Sequence, residues 1–114
     1  MARSKEPVLW ALFSGGGMLS ALLLPAIVFV LWVGAPLEWV APPSYETLAA
    51  LARSLLVRAV VFGLVMTSLF HWAHRFRYTL YDGLQLYHLN ELIAIVTYGL
   101  AAVMSLGAAY VLFV

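Results

Sequence analysis

Three long apolar runs divide this 114-residue chain, at about residues 8–33, 55–74 and 92–113. A helix needs about 20 apolar residues to cross the hydrocarbon core of a bilayer, and each run is near or above that length. The composition agrees, since 65% of the residues are hydrophobic, 10% are charged and the mean hydropathy is +0.99. Soluble domains are about 25% charged. The sequence therefore predicts an all-α membrane protein with three transmembrane helices.

Several kinds of chemistry are disfavoured by the composition. Cysteine is absent, which excludes disulfides, thiolate metal sites and thiol nucleophiles. The 6 Lys and Arg residues against 5 Asp and Glu residues provide no basic surface for nucleic acid. A coupled transporter of this size usually carries a carboxylate deep in a span. The acidic residues here lie at span ends or in loops, at Glu6, Glu38, Glu46, Asp82 and Glu91.

The connections between the spans set the expected topology. Residues 34–46 contain three prolines and read as the first loop. Ser44 is typical of a helix start, so we expect the second helix to begin at the interface and to enter the bilayer near Arg53. Residues 82–91 read as the second loop.

The basic residues predict the orientation. One side of the membrane has four of them (Arg3, Lys5, Arg75 and Arg77) and the opposite side has Arg53 and Arg58. By the positive-inside rule, we expect a cytoplasmic N-terminus and second loop, and an external C-terminus.

The stretch FHWAHRFRYTLYD (Phe70 to Asp82) collects charge that the rest of the chain lacks. On a helix, positions i, i+3, i+4, i+7 and i+11 share one face, which here gives a polar stripe of His71, His74, Arg75, Tyr78 and Asp82. Ionisable groups at membrane depth usually face a partner, a cavity or a cofactor. Four interpretations stay open: an interfacial belt, a site for a quinone head group whose carbonyls need donors, a proton or ion path, and a haem ligand. The belt alone accounts well for Arg77, which stands at the helix end.

Glycines concentrate near the start of the first span, in EPVLWALFSGGGMLSA (Glu6 to Ala21). Gly16 with Ser20, and Gly17 with Ala21, form pairs of small residues four positions apart. Such pairs let helices approach closely, whereas each glycine weakens a helix by about 1 kcal/mol relative to alanine. We therefore expect this part of the first span to pack tightly against another helix.

These residues resemble a known family, the D subunit of bacterial fumarate reductase. The resemblance covers nearly the whole chain and rests on the N-terminal stretch above, on Ser44 to Glu46, on Arg58, on the His74-Arg75 pair followed eight residues later by Asp82, and on YGLAA (Tyr98 to Ala102).

The resemblance implies that residues 1–114 form a single membrane-anchor domain without catalytic residues of its own, in the bacterial cytoplasmic membrane. It implies three protein partners: a similar three-helix membrane anchor (the C subunit), an iron–sulfur subunit and a flavoprotein subunit. Menaquinol bound between the anchors and the iron–sulfur subunit would supply the electrons that reduce fumarate, or the complex would run as a succinate dehydrogenase.

The resemblance also carries over residues of a quinone site. Trp10, His74 and Arg75 match the family in type. Ser14 stands where the family has glycine, and Tyr78 stands where it has a histidine, so any proton transfer by that histidine does not carry over. Protons are expected to enter from the cytoplasmic side, either through Asp82 or through groups in the C subunit.

His71 supports an alternative function. Anchors of the related succinate dehydrogenases bind haem b through a histidine eleven residues before an aspartate, the spacing of His71 and Asp82. The four-subunit fumarate reductases lack haem, which favours the haem-free interpretation. A small helical transporter or an assembly protein is a further alternative.

Overall fold

A computed structural model describes residues 6–114 of the chain, which are helical apart from turns and loops. The helices are α1 (Glu6–Phe29), α2 (Tyr45–Arg53), α3 (Leu55–Tyr78) and α4 (Asn90–Phe113). Two π-helical turns, Val30–Gly34 and Thr79–Gly83, continue α1 and α3, and a short 3-10 turn, Tyr87–Leu89, precedes α4. Arg3 and Lys5 lie outside the described residues, so the predicted orientation stays a prediction.

Within residues 6–114, three helical segments are long and apolar enough to span a membrane, as predicted: Phe13–Gly34, Leu55–Gly83 and Tyr87–Phe113. The second segment has 29 residues, about 43 Å at 1.5 Å per residue. A bilayer with its headgroups is about 40–45 Å thick. The helix thus continues past residue 74, where the apolar run ends. The predicted second loop is too long at both ends, because Asp82 is still helical and α4 already begins at Asn90.

The expected single helix from Ser44 into the bilayer is wrong. Ser44 does cap a helix, since its Oγ accepts a hydrogen bond from the Thr47 N–H (3.2 Å), but α2 ends after nine residues. Ser54 adopts an extended conformation (ψ 123°) and its Oγ accepts from the Val57 N–H to start α3. At this break the Ala52 carbonyl accepts from Arg58 Nε (2.6 Å), which satisfies a group that a continuous helix would have satisfied itself.

Helix α3 is central, because it packs on α1 and on α4, while within residues 6–114 no interface joins α1 to α4. The face of α4 that is buried repeats every four residues, at Ile93, Thr97, Ala101 and Ser105. Hydroxyls on this face are satisfied locally: Thr97 donates to the Ile93 carbonyl (2.8 Å) and Ser105 to the Ala101 carbonyl (2.7 Å). Small side chains and satisfied hydroxyls are typical of helix packing in membranes.

The glycines of α1 allow its close approach to α3, as predicted. A Cβ on Gly16 would stand 2.8 Å from the Thr67 carbonyl oxygen, and one on Gly17 would overlap the His71 ring. One turn later the Ser20 hydroxyl pairs with the Ser68 hydroxyl across the interface. Gly15, in contrast, faces open space in this chain.

Candidate functional site

A cleft of about 730 Å³ opens between α1 and α4, with α3 as its floor. It exists because both outer helices pack on α3 but not on each other. The cleft lies toward the C-terminal end of α3, the end that the charge pattern predicts to be cytoplasmic. Its lining is aromatic and basic: Trp10, Phe13, Met66, Thr67, Phe70, His71, His74, Arg77, Tyr78 and Tyr98.

His74 is the central polar side chain of the cleft. Its Nδ1 lies 2.8 Å from the hydroxyl oxygen of Tyr98, a contact that joins α3 to α4. Aromatic rings surround the imidazole, with ring centroids 4.5 Å away at Phe13, 4.9 Å at Tyr78 and 5.7 Å at Trp10. Among the described residues Nε2 has no hydrogen-bond partner. His74 therefore uses one ring nitrogen for the contact with Tyr98 and lines the cleft with its ring.

His71, one turn earlier, has a different kind of partner. Its Nδ1 lies 2.9 Å from the Phe13 carbonyl oxygen. A carbonyl only accepts hydrogen bonds, so Nδ1 must carry the proton and donate. The ring is stacked on the Phe13 ring (centroids 4.3 Å apart, planes at 16°) and lies against Gly17. Through these contacts His71 holds α3 against α1.

Arg77 supplies the positive charge of the cleft. Its Nε and Nη2 donate to Oδ1 of Asn90, at 3.2 and 3.1 Å. The guanidinium carbon lies 5.4 Å from the ring centroid of Tyr78 and 5.8 Å from that of Tyr98, within the range of cation–π attraction. The side chain is thus fixed to α4 from two directions.

The structure brings some of the predicted site residues together and separates others. Trp10, His74 and Tyr78 line the cleft. Arg75 is exposed and lies outside the lining, because one residue is a rotation of about 100° around a helix. Ser14 and Asp82 are also exposed and outside the lining, with Asp82 in the π-helical turn that follows α3.

Six residues of the lining are not among the predicted site residues: Phe13, Met66, Thr67, Phe70, Arg77 and Tyr98. Sequence reasoning assigns Arg77 a different role. It places Arg77 in an interfacial belt, although the spacing of Arg77 from Phe70 and His74 (i, i+4, i+7) puts all three on one face. Phe13 and Tyr98 carry no such signal, because only the packing of α1 and α4 brings them to α3.

The surroundings of His71 do not fit an axial haem ligand. Such a ligand must point a ring nitrogen into a space wide enough for the porphyrin. Nδ1 of His71 is bonded to Phe13, and Nε2 lies 3.0 Å from the point where a Cβ on Gly17 would stand, so both nitrogens face α1. The described residues also contain no group of three or more His, Cys, Asp or Glu side chains suited to a metal ion.

Fold and site together define a class: a small all-α protein with three helices able to span a membrane and an aromatic, histidine-containing cleft near one end. The profile of a family described as the D subunit of fumarate reductase matches residues 1–113. The chain belongs to this family.

Proteins of the same description give the same result. The fumarate reductase D subunit of Mycobacterium tuberculosis is 43% identical over 110 residues, which cover 96% of this chain and 88% of the relative. That of Vibrio cholerae is 32% identical over 113 residues, covering 97% and 85%. That of Aliivibrio fischeri is 34% identical over 82 residues, covering 70% and 68%. Family membership favours the fumarate reductase function over the transporter and assembly alternatives.

Proposed function

We propose that this chain is the membrane-anchor subunit of a menaquinol:fumarate oxidoreductase of the bacterial cytoplasmic membrane. In this role it pairs with a second membrane anchor, the C subunit, and tethers the iron–sulfur and flavoprotein subunits to the cytoplasmic face. It carries no residues for fumarate chemistry and supplies part of the quinol site. Membership of the fumarate reductase D-subunit family supports the anchor role, and the polar end of α3 supports the predicted topology.

The cleft carries the proposal of a quinol site. Its volume of about 730 Å³ lies in the range of about 300–1,000 Å³ typical of small-molecule sites. A flat apolar ring with two polar oxygens needs aromatic walls and a few converging hydrogen-bonding groups. Phe13, Tyr78 and Trp10 provide the walls, and His74 and Arg77 provide polar groups between them. The open side between α1 and α4 admits the isoprenoid tail from the bilayer.

Each polar group has a distinct part in binding. Arg77 places a fixed positive charge where an oxygen of the head group gains negative charge as it loses its proton. Nε2 of His74 accepts the hydrogen bond of a quinol hydroxyl and receives its proton. The Trp10 indole can only donate, so it suits the oxygen of the quinone form.

Arg75 is proposed to contact the head group from outside this chain's cleft. The family resemblance assigns it to the quinone site, whereas it is exposed and outside this chain's cleft. We place it on the side of α3 where another protein of the complex completes the site. Asp82, exposed in the turn beyond α3, lies toward the aqueous side and suits the delivery of protons to and from the cleft.

The quinol site can be tested in the assembled four-subunit complex by comparing the rates of fumarate reduction with two electron donors. Fumarate reduction driven by a short-chain naphthoquinol requires the quinol site, whereas reduction driven by a water-soluble artificial donor bypasses it. We expect His74→Asn and Arg77→Gln to lower the quinol-driven rate and to leave the artificial-donor rate unchanged. Arg53→Gln, which changes an exposed arginine of α2 far along the chain from the cleft, is the matched control and should alter neither rate.

Variants of Arg75 and Arg77, the two arginines in the last turn of α3, show where the head group binds. Loss of quinol-driven turnover in Arg77→Gln but not in Arg75→Gln would place it inside the cleft. Loss only in Arg75→Gln would place it against the exposed side of α3, between this chain and a partner. If His74→Asn and both arginine variants keep full quinol-driven turnover, the cleft is not a quinol site and this part of the proposal is wrong.

A further inference from the structure

We propose that Tyr98 of α4 is a positioning residue for quinol oxidation, acting through its hydrogen bond to His74. The inference rests on the quinol site proposed above and assigns a role to a residue on a helix that the polar stripe of α3 does not include. Tyr98 holds the imidazole so that Nε2 faces the bound head group with its lone pair free.

The geometry around Tyr98 fixes the position of its hydroxyl. Tyr98 comes directly after Thr97, which lies on the buried face of α4. The backbone of Tyr98 is therefore held close to α3. Its ring is stacked with that of Phe70, with centroids 6.5 Å apart and planes at 25°, and the guanidinium of Arg77 lies 5.8 Å from the ring centroid. The hydroxyl then meets Nδ1 of His74 at 2.8 Å.

A hydroxyl suits this position because it can both donate and accept a hydrogen bond. When quinol binds, Nδ1–H of His74 donates to the Tyr98 oxygen and the Nε2 lone pair accepts from the quinol hydroxyl. The quinol O–H bond then breaks and an N–H bond forms at Nε2. The electron pair of the broken bond stays on the quinol oxygen, and the proton of the second hydroxyl goes to water at the aqueous end of the cleft. The two electrons of the oxidation leave to the iron–sulfur subunit, so that quinone remains.

The same hydroxyl also supports the return of the site to its starting state. Throughout the transfer Nδ1 keeps its proton, and the Tyr98 oxygen stabilises the positive charge of the doubly protonated ring. After Nε2 releases its proton toward the aqueous side, the original tautomer is restored without a movement of the ring. When quinone is the ligand and the ring carries its single proton on Nε2 instead of Nδ1, the Tyr98 hydroxyl donates to Nδ1 and Nε2–H donates to a quinone carbonyl.

Tyr98→Phe in the complete complex tests this role, with Tyr110→Phe as the matched control. Tyr110 lies on the same helix, is 67% exposed and is outside the cleft lining, so it undergoes the same chemical change away from the site. Quinol-driven rates are divided by the artificial-donor rate of the same preparation, which corrects for any difference in assembly. In Tyr98→Phe we expect kcat for the quinol to fall roughly tenfold or more, as for a misoriented general base, with KM nearly unchanged.

The solvent isotope effect on kcat is a second measurement, and it would stay unchanged if Tyr98 served only in packing. Because proton transfer to an unpositioned imidazole becomes slower, the ratio of kcat in H₂O to kcat in D₂O should rise in Tyr98→Phe and stay at the wild-type value in Tyr110→Phe.

Three results would overturn the positioning role: an unchanged normalised kcat in Tyr98→Phe, an increase of KM alone, or equal losses in the two tyrosine variants. His74→Asn distinguishes this failure from failure of the quinol site. If His74→Asn loses quinol-driven turnover while Tyr98→Phe keeps it, the quinol site stands and only the role of Tyr98 falls. If neither variant loses it and the Arg75→Gln and Arg77→Gln variants also keep it, the quinol site falls too.

Discussion

Gly17→Ala is the sharpest test of how α1 and α3 form the cleft. The added methyl group would stand 2.6 Å from Nδ1 of His71 and 3.0 Å from Nε2, so the two helices must separate or the imidazole must turn. Inserting a methyl group into a packed interface costs about 1–3 kcal/mol. Turning the ring also breaks the hydrogen bond from Nδ1 to the Phe13 carbonyl, and bonds of this kind between membrane helices average about 0.6 kcal/mol.

Alanine also has a favourable effect, because it stabilises a helix by about 1 kcal/mol relative to glycine. We therefore expect Gly17→Ala to lower the free energy of unfolding by about 0.6–2.6 kcal/mol. The packing cost and the lost hydrogen bond lower it, and the higher helix propensity of alanine raises it by about 1 kcal/mol. Gly15→Ala is the matched control, since a Cβ there meets nothing within 4 Å in this chain. That variant should gain stability from helix propensity alone.

Thermal inactivation of the purified complex in detergent checks the difference. We expect the midpoint temperature to be lower for Gly17→Ala than for wild type, and equal or higher for Gly15→Ala. Normalised quinol-driven turnover should also fall in Gly17→Ala, because Phe13 and His71 line the cleft. Equal midpoints for the two variants, whether raised or lowered, would refute the argument that contact with His71 is what requires glycine at position 17.

Three further results are expected. Ser20→Ala removes hydrogen bonds to the Gly16 carbonyl and to Ser68. It should lower the free energy of unfolding by about 0.6 kcal/mol and at most by about 1.7 kcal/mol. A double-mutant cycle with Ser68→Ala measures the part that comes from the contact between the two serines. Asn90→Ala frees the Arg77 guanidinium from its acceptor, and should raise the quinol KM by roughly 3- to 10-fold, or about 0.7–1.4 kcal/mol, whereas Glu91→Ala next to it should not. A reduced-minus-oxidised visible spectrum of the complex should lack the α-band of b-type haem; such a band would mean that His71 leaves Phe13 on assembly.

The helical architecture was predictable because hydrophobic length is a strong and local signal. Three apolar runs of sufficient length admit few alternatives in a lipid environment, where each backbone polar group must be satisfied within its own segment. The break at Ser54 was not predictable in this way. A serine can stand inside a helix or cap one, and the choice here is tied to contacts such as that of Arg58 with the Ala52 carbonyl, which form only after the chain has turned.

The site was predictable only where one helix carries it. Periodicity correctly placed His71, His74 and Tyr78 on a common face, and all three line the cleft. It included Arg75 and left out Arg77, whereas Arg77 lines the cleft and Arg75 does not. The two arginines border that face on opposite sides, and only the position of α4 decides which one is enclosed. Tyr98 was beyond such reasoning altogether, since its role depends on a distance to another helix.

The two histidines of the cleft differ in a way that predicts opposite results from the same substitution. Nδ1 of His71 faces a carbonyl, which can only accept, so this ring is held in one tautomer. Nδ1 of His74 faces a hydroxyl, which can donate or accept, so this ring can change its protonation while staying in place. An asparagine side chain provides an N–H near the position of Nδ1 but nothing in place of Nε2.

His71→Asn should therefore keep the bond to the Phe13 carbonyl and most of the normalised quinol-driven turnover. His74→Asn should keep a contact to Tyr98 and lose that turnover by roughly 100-fold or more, the usual effect of removing a general base. Both variants should retain the artificial-donor rate, which controls for assembly. Similar losses of quinol-driven turnover in the two variants would refute this assignment of roles. His71 would then not be only a residue that joins α1 to α3, and His74 would not be the only histidine that exchanges protons with the quinol.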